Sequence, residues 1–467
     1  SLNISPETKV GKVLGWNAEE FIKKDNKKTY TLMSGKEEIC KYDEKELKNY
    51  LNNTNVSIGS NGVLYRMDRE GLIPAILSQW FDTRVEYRKL AKQFHEEGNE
   101  QQFQYYDRRQ YLQKILLNSL YGVLGLPVFR FYDVDNAEAT TLTGQELIKF
   151  SKKLVNLYYN KELGTTDENY VIYIDTDSIF ASATPLVKSR HKGIDTNAEA
   201  TMTHHILNIA DEIQGFLNSS YDLFADKFLN LDKHYFEIKQ EVIAKSSLFI
   251  TKKRYGMKII NEDGRKVNKI QVKGLDTVRS SFAVAMKNLL SEILDDILVA
   301  VPKEKIDERI FKFRKAMKAM DYNEISSPTG VKRIDKFKCN MDRETGLPVN
   351  VPGGKIITTY YEKATPVHVK ASMAYNDMIE YYNIKRYPKI SNGEKIKWIY
   401  LKQNPLNLPV LAYKGYDDPP EILKYIKIYI DVNKMYKQAL SKKIDMFYQA
   451  MSWDKPVDKR YTLEKFF

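Results

Sequence analysis

Two aspartates, Asp175 and Asp177, stand two residues apart within Tyr170 to Ala181, a stretch that reads Y-V-I-Y-I-D-T-D-S-I-F-A. Its β-branched and aromatic flanks predict strands. Asp-Thr-Asp followed by Ser178 is turn chemistry, so the chain is expected to fold back there as a hairpin. Along an extended chain the two carboxylates project to the same side. At the tip of a buried hairpin such a pair repels itself unless a cation sits between them. Hard carboxylate oxygens suit Mg²⁺ or Mn²⁺, and Mg²⁺ usually takes one or two carboxylates plus substrate phosphates. An acidic turn in solvent has the same composition, so this stretch alone leaves both readings open.

A second candidate group is cationic. Arg84 and Arg88 are an i,i+4 pair, and Gln110, Lys114, Asn118 and Tyr121 recur at spacings of four, four and three, with Gly122 next. These spacings place each set on one face of a helix. The first helix is expected to start at Asp68 as N-cap, with Pro74 in its first turns and Ile73, Ile76, Leu77 and Trp80 on its apolar side. It is expected to stop at Gly98-Asn99. The second is expected over Glu100 to Leu124, burying Leu112, Leu116, Leu120 and Val123. So short a connection makes an antiparallel helical hairpin. At about 1.5 Å per residue, Arg84 and Lys114 both lie roughly 22 Å from its tip. Three converging cations beside a Tyr-Gly step suit a triphosphate with a base above it. The plainer alternative is a solvated, charged helix face.

The remaining chain must position these groups. Residues 1 to 67 read as short strands and one helix. A strand is expected over Val128 to Tyr132, a helix over Ala137 to Tyr159, and another over residues 200 to 230. Strand patterns follow at Tyr235 to Val242 and Leu248 to Tyr255. Alternation in the last puts Lys253 and Tyr255 on one face, Lys252 and Arg254 on the other. That is a basic-aromatic rib for a duplex groove or a sheet edge protected by charge. Beyond Lys273-Gly274 the chain becomes helical and basic, over 282–301 and 303–320, with an irregular stretch at Pro352-Gly353-Gly354 and more helix after it. A polar linker, Asp454 to Arg460, precedes Tyr461 to Phe467. Its two terminal phenylalanines make better sense docked on a partner than as a frayed tail. The whole reads as α+β.

Composition narrows the field. At 467 residues the chain can build two or three cores. Its 73 basic and 61 acidic residues give a net charge of +12, which favours a polyanionic partner, nucleic acid first. Thirty-two tyrosines offer flat, polar-tipped surfaces to sugars and bases. With two cysteines, Cys40 and Cys339, no disulfide framework or thiolate metal site is expected, which points to a reducing, intracellular compartment. The N-terminus lacks signal-peptide character, and no apolar run is long enough for a membrane span, so no membrane partner is expected.

Three blocks occur in fixed order: K-I-L-L-N-S-L-Y-G from Lys114 to Gly122, Y-I-D-T-D-S from Tyr173 to Ser178, and T-K-K-R-Y from Thr251 to Tyr255. Together they resemble the blocks of family B DNA polymerases, especially the replicative enzymes of tailed bacteriophages. The resemblance runs from N-I-S-P-E-T at residues 3 to 8 to the carboxyl end. It implies a right-hand architecture with residues 1–67 as the N-terminal part of the palm, 68–126 as fingers, 127–284 as palm and 285–467 as a mostly helical thumb. Asp175 and Asp177 are then the palm carboxylates that hold two Mg²⁺ ions, with Mn²⁺ able to substitute. Arg84, Arg88, Lys114, Asn118, Tyr121 and Gly122 become the nucleotide-binding face of the fingers. Lys252, Lys253, Arg254, Tyr255 and Lys273 become DNA-binding residues. Leu463, Phe466 and Phe467 resemble a sliding-clamp-binding tail. The implied partners are primer-template DNA, a deoxynucleoside triphosphate and a sliding clamp, in the cytoplasm of an infected bacterial cell.

The chain also departs from the family pattern. Ile174 stands where many members have glycine, and Lys239 where related palm strands often carry an acid, leaving Glu237 and Glu241 as nearby carboxylates. The fingers hairpin is compact. The D-x-x-S-L-Y-P-S block that precedes N-I-S-P-E-T in the family is not in this sequence. The expectation is therefore the C-terminal portion of a split or truncated enzyme whose N-terminal polymerase/exonuclease fragment is a separate chain. Ser1 fits either a spliced junction or a trimmed start. The competing expectation is a catalytically silent remnant that only binds primer-template DNA.

Overall fold

The structure is a computed structural model that describes residues 1–22, 28–34, 39–339, 360–361 and 365–456. It divides into two compact units, Ser1–Glu241 and Val242–Phe467. The segment expected as palm, 127–284, contributes to both.

The first unit opens with β1 (Lys9–Leu14), α1 (Ala18–Ile22), β2 (Tyr30–Ser34), β3 (Ile39–Tyr42), α2 (Glu44–Asn53), β4 (Val56–Ile58) and β5 (Val63–Arg66). The strands form one antiparallel sheet in the order β3-β2-β1-β5-β4. Val13, Leu32, Ile58 and Leu64 pack from it against Leu47 and Leu51 of α2. The start of α2 is fixed by a reciprocal cap between Asp43 and Glu46.

Next come α3 (Leu72–Glu96) and α4 (Glu100–Leu124), the expected antiparallel hairpin. The second helix has the expected bounds, with Asn99 capping it through Gln102 N–H. The first starts three residues later than expected, because Asp68 is not its cap: that carboxylate pairs with Arg66. The cap comes instead from the chain's beginning. Asn3 Oδ1 accepts from Gly71 N–H at 2.8 Å, Glu7 Oε1 from Leu72 N–H at 2.6 Å, and Ser5 Oγ from Ile73 N–H at 3.4 Å. The next residue, Pro74, has no N–H to satisfy. The first intrahelical bond, Ala75 N–H to Gly71 C=O, then takes over. Every orphan donor of this helix start is accounted for.

The expected apolar stripe of α4 is not buried. Leu112 is 58% exposed and Leu116 43%, Leu120 and Val123 are half-buried, and only Leu124 is fully enclosed. Aromatic pairs zip the two helices together: His95 with Phe103, Phe94 stacked on Tyr106, and Tyr87 with Tyr106. A two-helix hairpin has one seam, and aromatics take it here.

Between α4 and α5 (Val134–Leu163) the expected strand at Val128 to Tyr132 is a pair of tight turns, Phe129 N–H to Leu126 C=O and Tyr132 N–H to Phe129 C=O. Gly125 and Pro127 break the chain before a strand can form. Asp133 caps α5, so the helix begins three residues earlier than expected and runs on to Leu163. Lys9 and Lys12 of β1 pair with Asp135 at 2.7 and 2.6 Å, and Tyr65 OH donates to Asn136, tying the sheet to the start of α5.

The unit closes with β6 (Val171–Asp175), β7 (Ser178–Ala181), α6 (Thr184–Arg190) and α7 (Glu199–Leu229). The stretch from Tyr235 to Glu241, expected as a strand, forms no ladder among the described residues. Its backbone is served by side chains of α7. Asn218 bonds both the N–H and C=O of Ile238, and Gln214 accepts from Gln240 N–H.

In the second unit, β8 (Val242–Thr251), β9 (Arg254–Glu262) and β10 (Arg265–Lys273) form an antiparallel meander. The expected strand through Tyr255 is thus two strands with a turn at Lys252-Lys253. Helices α8 (Val284–Leu298) and α9 (Lys303–Ala316) follow near their expected bounds. Among the described residues helices dominate the remainder, around a three-stranded antiparallel sheet of Ser327–Gly330, Lys395–Tyr400 and Val410–Tyr413, the last buried along its whole length. One continuous core joins these elements, including Leu290, Ile293, Tyr375, Ile399 and Ile422.

Candidate active site

The acidic step lies between β6 and β7. The strands pair Tyr173 with Phe180, Ile174 with Ile179 and Asp175 with Ser178. Ile174 and Ile179 pack on the core formed by α5, α6 and α7, whose members include Val155, Tyr159, Leu186 and Leu217. By alternation, Asp175 shares the opposite face with Tyr173. Ile174 is thus an anchor in the position where the family pattern has glycine.

The turn is tight. Asp177 N–H donates to Asp175 C=O at 2.7 Å, a γ-turn centred on Thr176 at φ 58°. Ser178 Oγ donates to the same carbonyl at 3.0 Å. A β-branched residue in this region is strained by about 1–3 kcal/mol. The chain therefore turns at Thr176, which corrects the expectation of two carboxylates along one extended strand. It also corrects the expectation of a buried tip: Val171 at the root is buried, Asp175 is half-buried and Asp177 is exposed. Solvent screens the two charges there.

These two residues fit a hard divalent cation as an open site. They offer carboxylate oxygens only, and among the described residues no cluster of three or more histidine, cysteine or acidic side chains closes around a metal. Mg²⁺ is commonly held by one or two carboxylates and completes its shell with substrate phosphate and water.

The cationic group lies on the α3–α4 hairpin. The seam pairs His95 with Phe103 and Tyr87 with Arg109, whose Nη1 donates to Tyr87 OH at 3.3 Å. Carrying that register down the hairpin puts Arg84 level with residues 112 to 116, and so with Lys114. Arg84 is half-buried, and its Nε has no hydrogen-bond partner among the described residues. Burial, and then the like charge of Arg88, hold its guanidinium below its ordinary pKa. Gln113, which sequence reasoning passed over, lies at the same level with a buried Oε1 that has no partner among the described residues. Arg88, Lys114, Asn118, Tyr121 and Gly122 are exposed, and the space around Gly122 is open. One helix supports both groups: α5 packs on α4 and on the β6–β7 hairpin.

The sequence profile of DNA polymerase family B matches residues 21–451. The chain belongs to DNA polymerase family B. It is 25% identical over 467 aligned positions to the DNA-directed DNA polymerase of Escherichia phage RB69, covering 85% of this chain and 48% of that enzyme. To the DNA-directed DNA polymerase of Enterobacteria phage T4 it is 25% identical over 343 residues, 70% of this chain and 35% of that one. The DNA polymerase alpha catalytic subunit of Xenopus laevis is 29% identical over 244 residues, 52% of this chain and 14% of that subunit. The chain spans less than half the length of these relatives.

The third family B block lies in the second unit, at the β8–β9 turn. Thr251 pairs with Arg254, leaving Lys252 and Lys253 exposed as the turn residues, Lys253 at φ 60°. Gly274 seats the turn: at φ 65°, a Cβ there would lie 2.1 Å from Lys253 C=O. The expected alternating rib is therefore corrected. Tyr255 is only 4% exposed and packs on Phe249, with Lys273 opposite it on β10. Arg254 binds Asp276 at 3.1 Å, and the same carboxylate takes Lys443 at 2.8 Å and Arg279 at 3.3 Å. Arg254 and Tyr255 brace the turn, and Lys252, Lys253 and Lys273 are the exposed cations. The expected clamp-binding residues Leu463, Phe466 and Phe467 lie outside the described residues.

Proposed function

We propose that this chain is the nucleotide-adding portion of a template-directed DNA polymerase. It would extend a primer 3′ end by two-metal phosphoryl transfer, with a further fragment supplying the remaining palm aspartate and the exonuclease. The observation that carries this reading is the mounting of an acidic turn and a cationic helical hairpin on one helix, α5, within one unit.

Asp175 and Asp177 would hold Mg²⁺, which supplies Lewis-acid charge to lower the pKa of the primer hydroxyl and stabilise departing pyrophosphate. Arg84, Arg88 and Lys114 bind the β and γ phosphates and add positive charge where negative charge develops. The missing partner of Arg84 Nε and the neighbouring Arg88 charge are what an anion would relieve. Tyr121 and the bare backbone at Gly122 offer a flat surface to the nascent base pair, and Asn118 an amide beside it. Lys252, Lys253 and Lys273 meet primer-template phosphates, which fixes register without reading sequence. Leu463, Phe466 and Phe467 would dock a sliding clamp. The work would take place in the cytoplasm of a phage-infected bacterium.

The test is primer extension by this chain with the N-terminal fragment, Mg²⁺ and deoxynucleoside triphosphates. Extension is expected, and Asp175→Ala or Asp177→Ala should abolish it while gel-shift binding to primer-template persists. Binding without extension by the unmodified chain would instead establish the silent remnant.

A further inference from the structure

We propose that Asn3, Ser5 and Glu7 are positioning residues for the triphosphate face: they clamp the root of α3 and so set where Arg84 and Arg88 stand. This rests on the polymerase reading for its functional half. Along the two 25-residue helices of the hairpin only Ile73, Ala91 and Leu124 are fully buried. Ala91 lies partway up α3, while Ile73 and Leu124 lie at the roots. Side-chain packing along the shaft therefore does little to aim the hairpin, and its direction is set where it begins.

At the α3 root the clamp is specific. Asn3 stands at φ 58°, and its Nδ2 donates to the carbonyls of Arg66 at 2.7 Å and Arg69 at 2.8 Å while its Oδ1 takes Gly71 N–H. Ser5 Oγ donates to Glu7 Oε2 at 2.6 Å, orienting the carboxylate whose other oxygen takes Leu72 N–H. Burial works to raise the Glu7 pKa, but the hydrogen bonds from Leu72 and Ser5 outweigh it and hold the group below its ordinary value. A negative carboxylate at this end also complements the helix dipole. Gly71 leaves no slack, because a Cβ there would lie 2.8 Å from Ser5 Cβ and 3.0 Å from Thr8 Cγ2.

Leverage turns this local geometry into function. Arg84 is about a dozen residues along α3, roughly 18 Å from the clamp at about 1.5 Å per residue. A tilt of about 10° at the root moves its guanidinium by about 3 Å, further than a hydrogen bond tolerates. Misplacing a binding group by about 1 Å can cost about a hundredfold in rate.

Two measurements on the same variants test this. The 467-residue chain carrying Cys339→Ser and Asp82→Cys is spin-labelled at Cys40 and position 82, both exposed. Pulsed dipolar spectroscopy should give a narrow distance distribution that broadens or shifts in Glu7→Ala and returns in Glu7→Gln, which keeps an acceptor. In the enzyme reconstituted with its N-terminal fragment, Glu7→Ala should raise KM for the incoming nucleotide about tenfold. The kcat should fall in parallel, primer-template affinity and melting temperature should stay near their starting values, and Glu7→Gln should recover most of both kcat and KM. An unchanged distribution in Glu7→Ala overturns the clamp whatever the activity. A changed distribution with unchanged KM overturns the positioning role. No extension by the unmodified enzyme overturns the polymerase reading and its functional half here, and the distance distribution alone then decides whether Glu7 orients α3.

Discussion

Two hairpin turns carry the acidic and basic candidate groups of this molecule, and they are built on opposite plans. Both are two-residue turns with a non-glycine residue in the left-handed region, Thr176 at φ 58° and Lys253 at φ 60°. The acidic turn is held by its own backbone and Ser178, and it stands in solvent at Asp177. The basic turn is braced from below. Gly274 lies against its carbonyl, and the buried Asp276, 6% exposed, gathers Arg254, Arg279 and Lys443 beneath it. On the proposed reading, a turn that would take up and release metal and nucleotide is left open on its ligand side. A turn that would grip a polyanion needs its cations held apart and aimed, and a counter-charged post does that.

The contrast predicts effects of very different kind and size. Asp177→Ala should slow nucleotide addition by about three orders of magnitude or more, the loss of several kcal/mol of transition-state stabilisation, read by rapid-quench incorporation. Its effect on folding should stay within about 0.5 kcal/mol, as for an exposed surface change. Asp276→Ala should do the reverse in stability terms, lowering it by about 1–3 kcal/mol in chemical unfolding, because the half-buried Arg254 and Lys443 lose the carboxylate that pairs them. Equal destabilisation by the two would erase the distinction. Replacing both Lys252 and Lys253 by alanine should leave unfolding nearly unchanged and reduce the salt slope of primer-template binding by about one per lysine. Thr176→Gly should make the smallest change, stabilising the chain by up to about 1 kcal/mol by removing turn strain.

What the sequence made legible was local. Glu100 to Leu124 carries its own cap and terminator, and Asp-Thr-Asp-Ser between β-branched flanks announces its own hairpin, so these bounds came out close to those observed. The features that were missed join residues distant along the chain. Asn3 caps Gly71 from 68 positions away, and Asp276 meets Lys443 across far more. No spacing rule reports either. Gly71 followed by Pro74 was a trace of the first, since it leaves few donors for a local cap to serve. Leu112 and Leu116 misled for a related reason: helical spacing marks an apolar face but cannot say whether anything covers it. Tyr235 to Glu241 has a strand's alternation without a ladder, because Asn218 and Gln214 take its inward backbone groups. Lys252-Lys253 lacks turn residues, and its turn depends on the approach of Gly274 from the next hairpin.

The central claim is that the acidic turn and the cationic hairpin serve the same nucleotide. Electron–nuclear double resonance of Mn²⁺ bound to the reconstituted enzyme, with primer-template and a deoxynucleoside triphosphate, tests it most directly. A phosphorus coupling should appear in the unmodified enzyme, disappear in Asp175→Ala and Asp177→Ala, and in Lys114→Ala require far higher nucleotide concentration. An undiminished coupling in both aspartate variants, or a nucleotide dependence indifferent to Lys114, would contradict it.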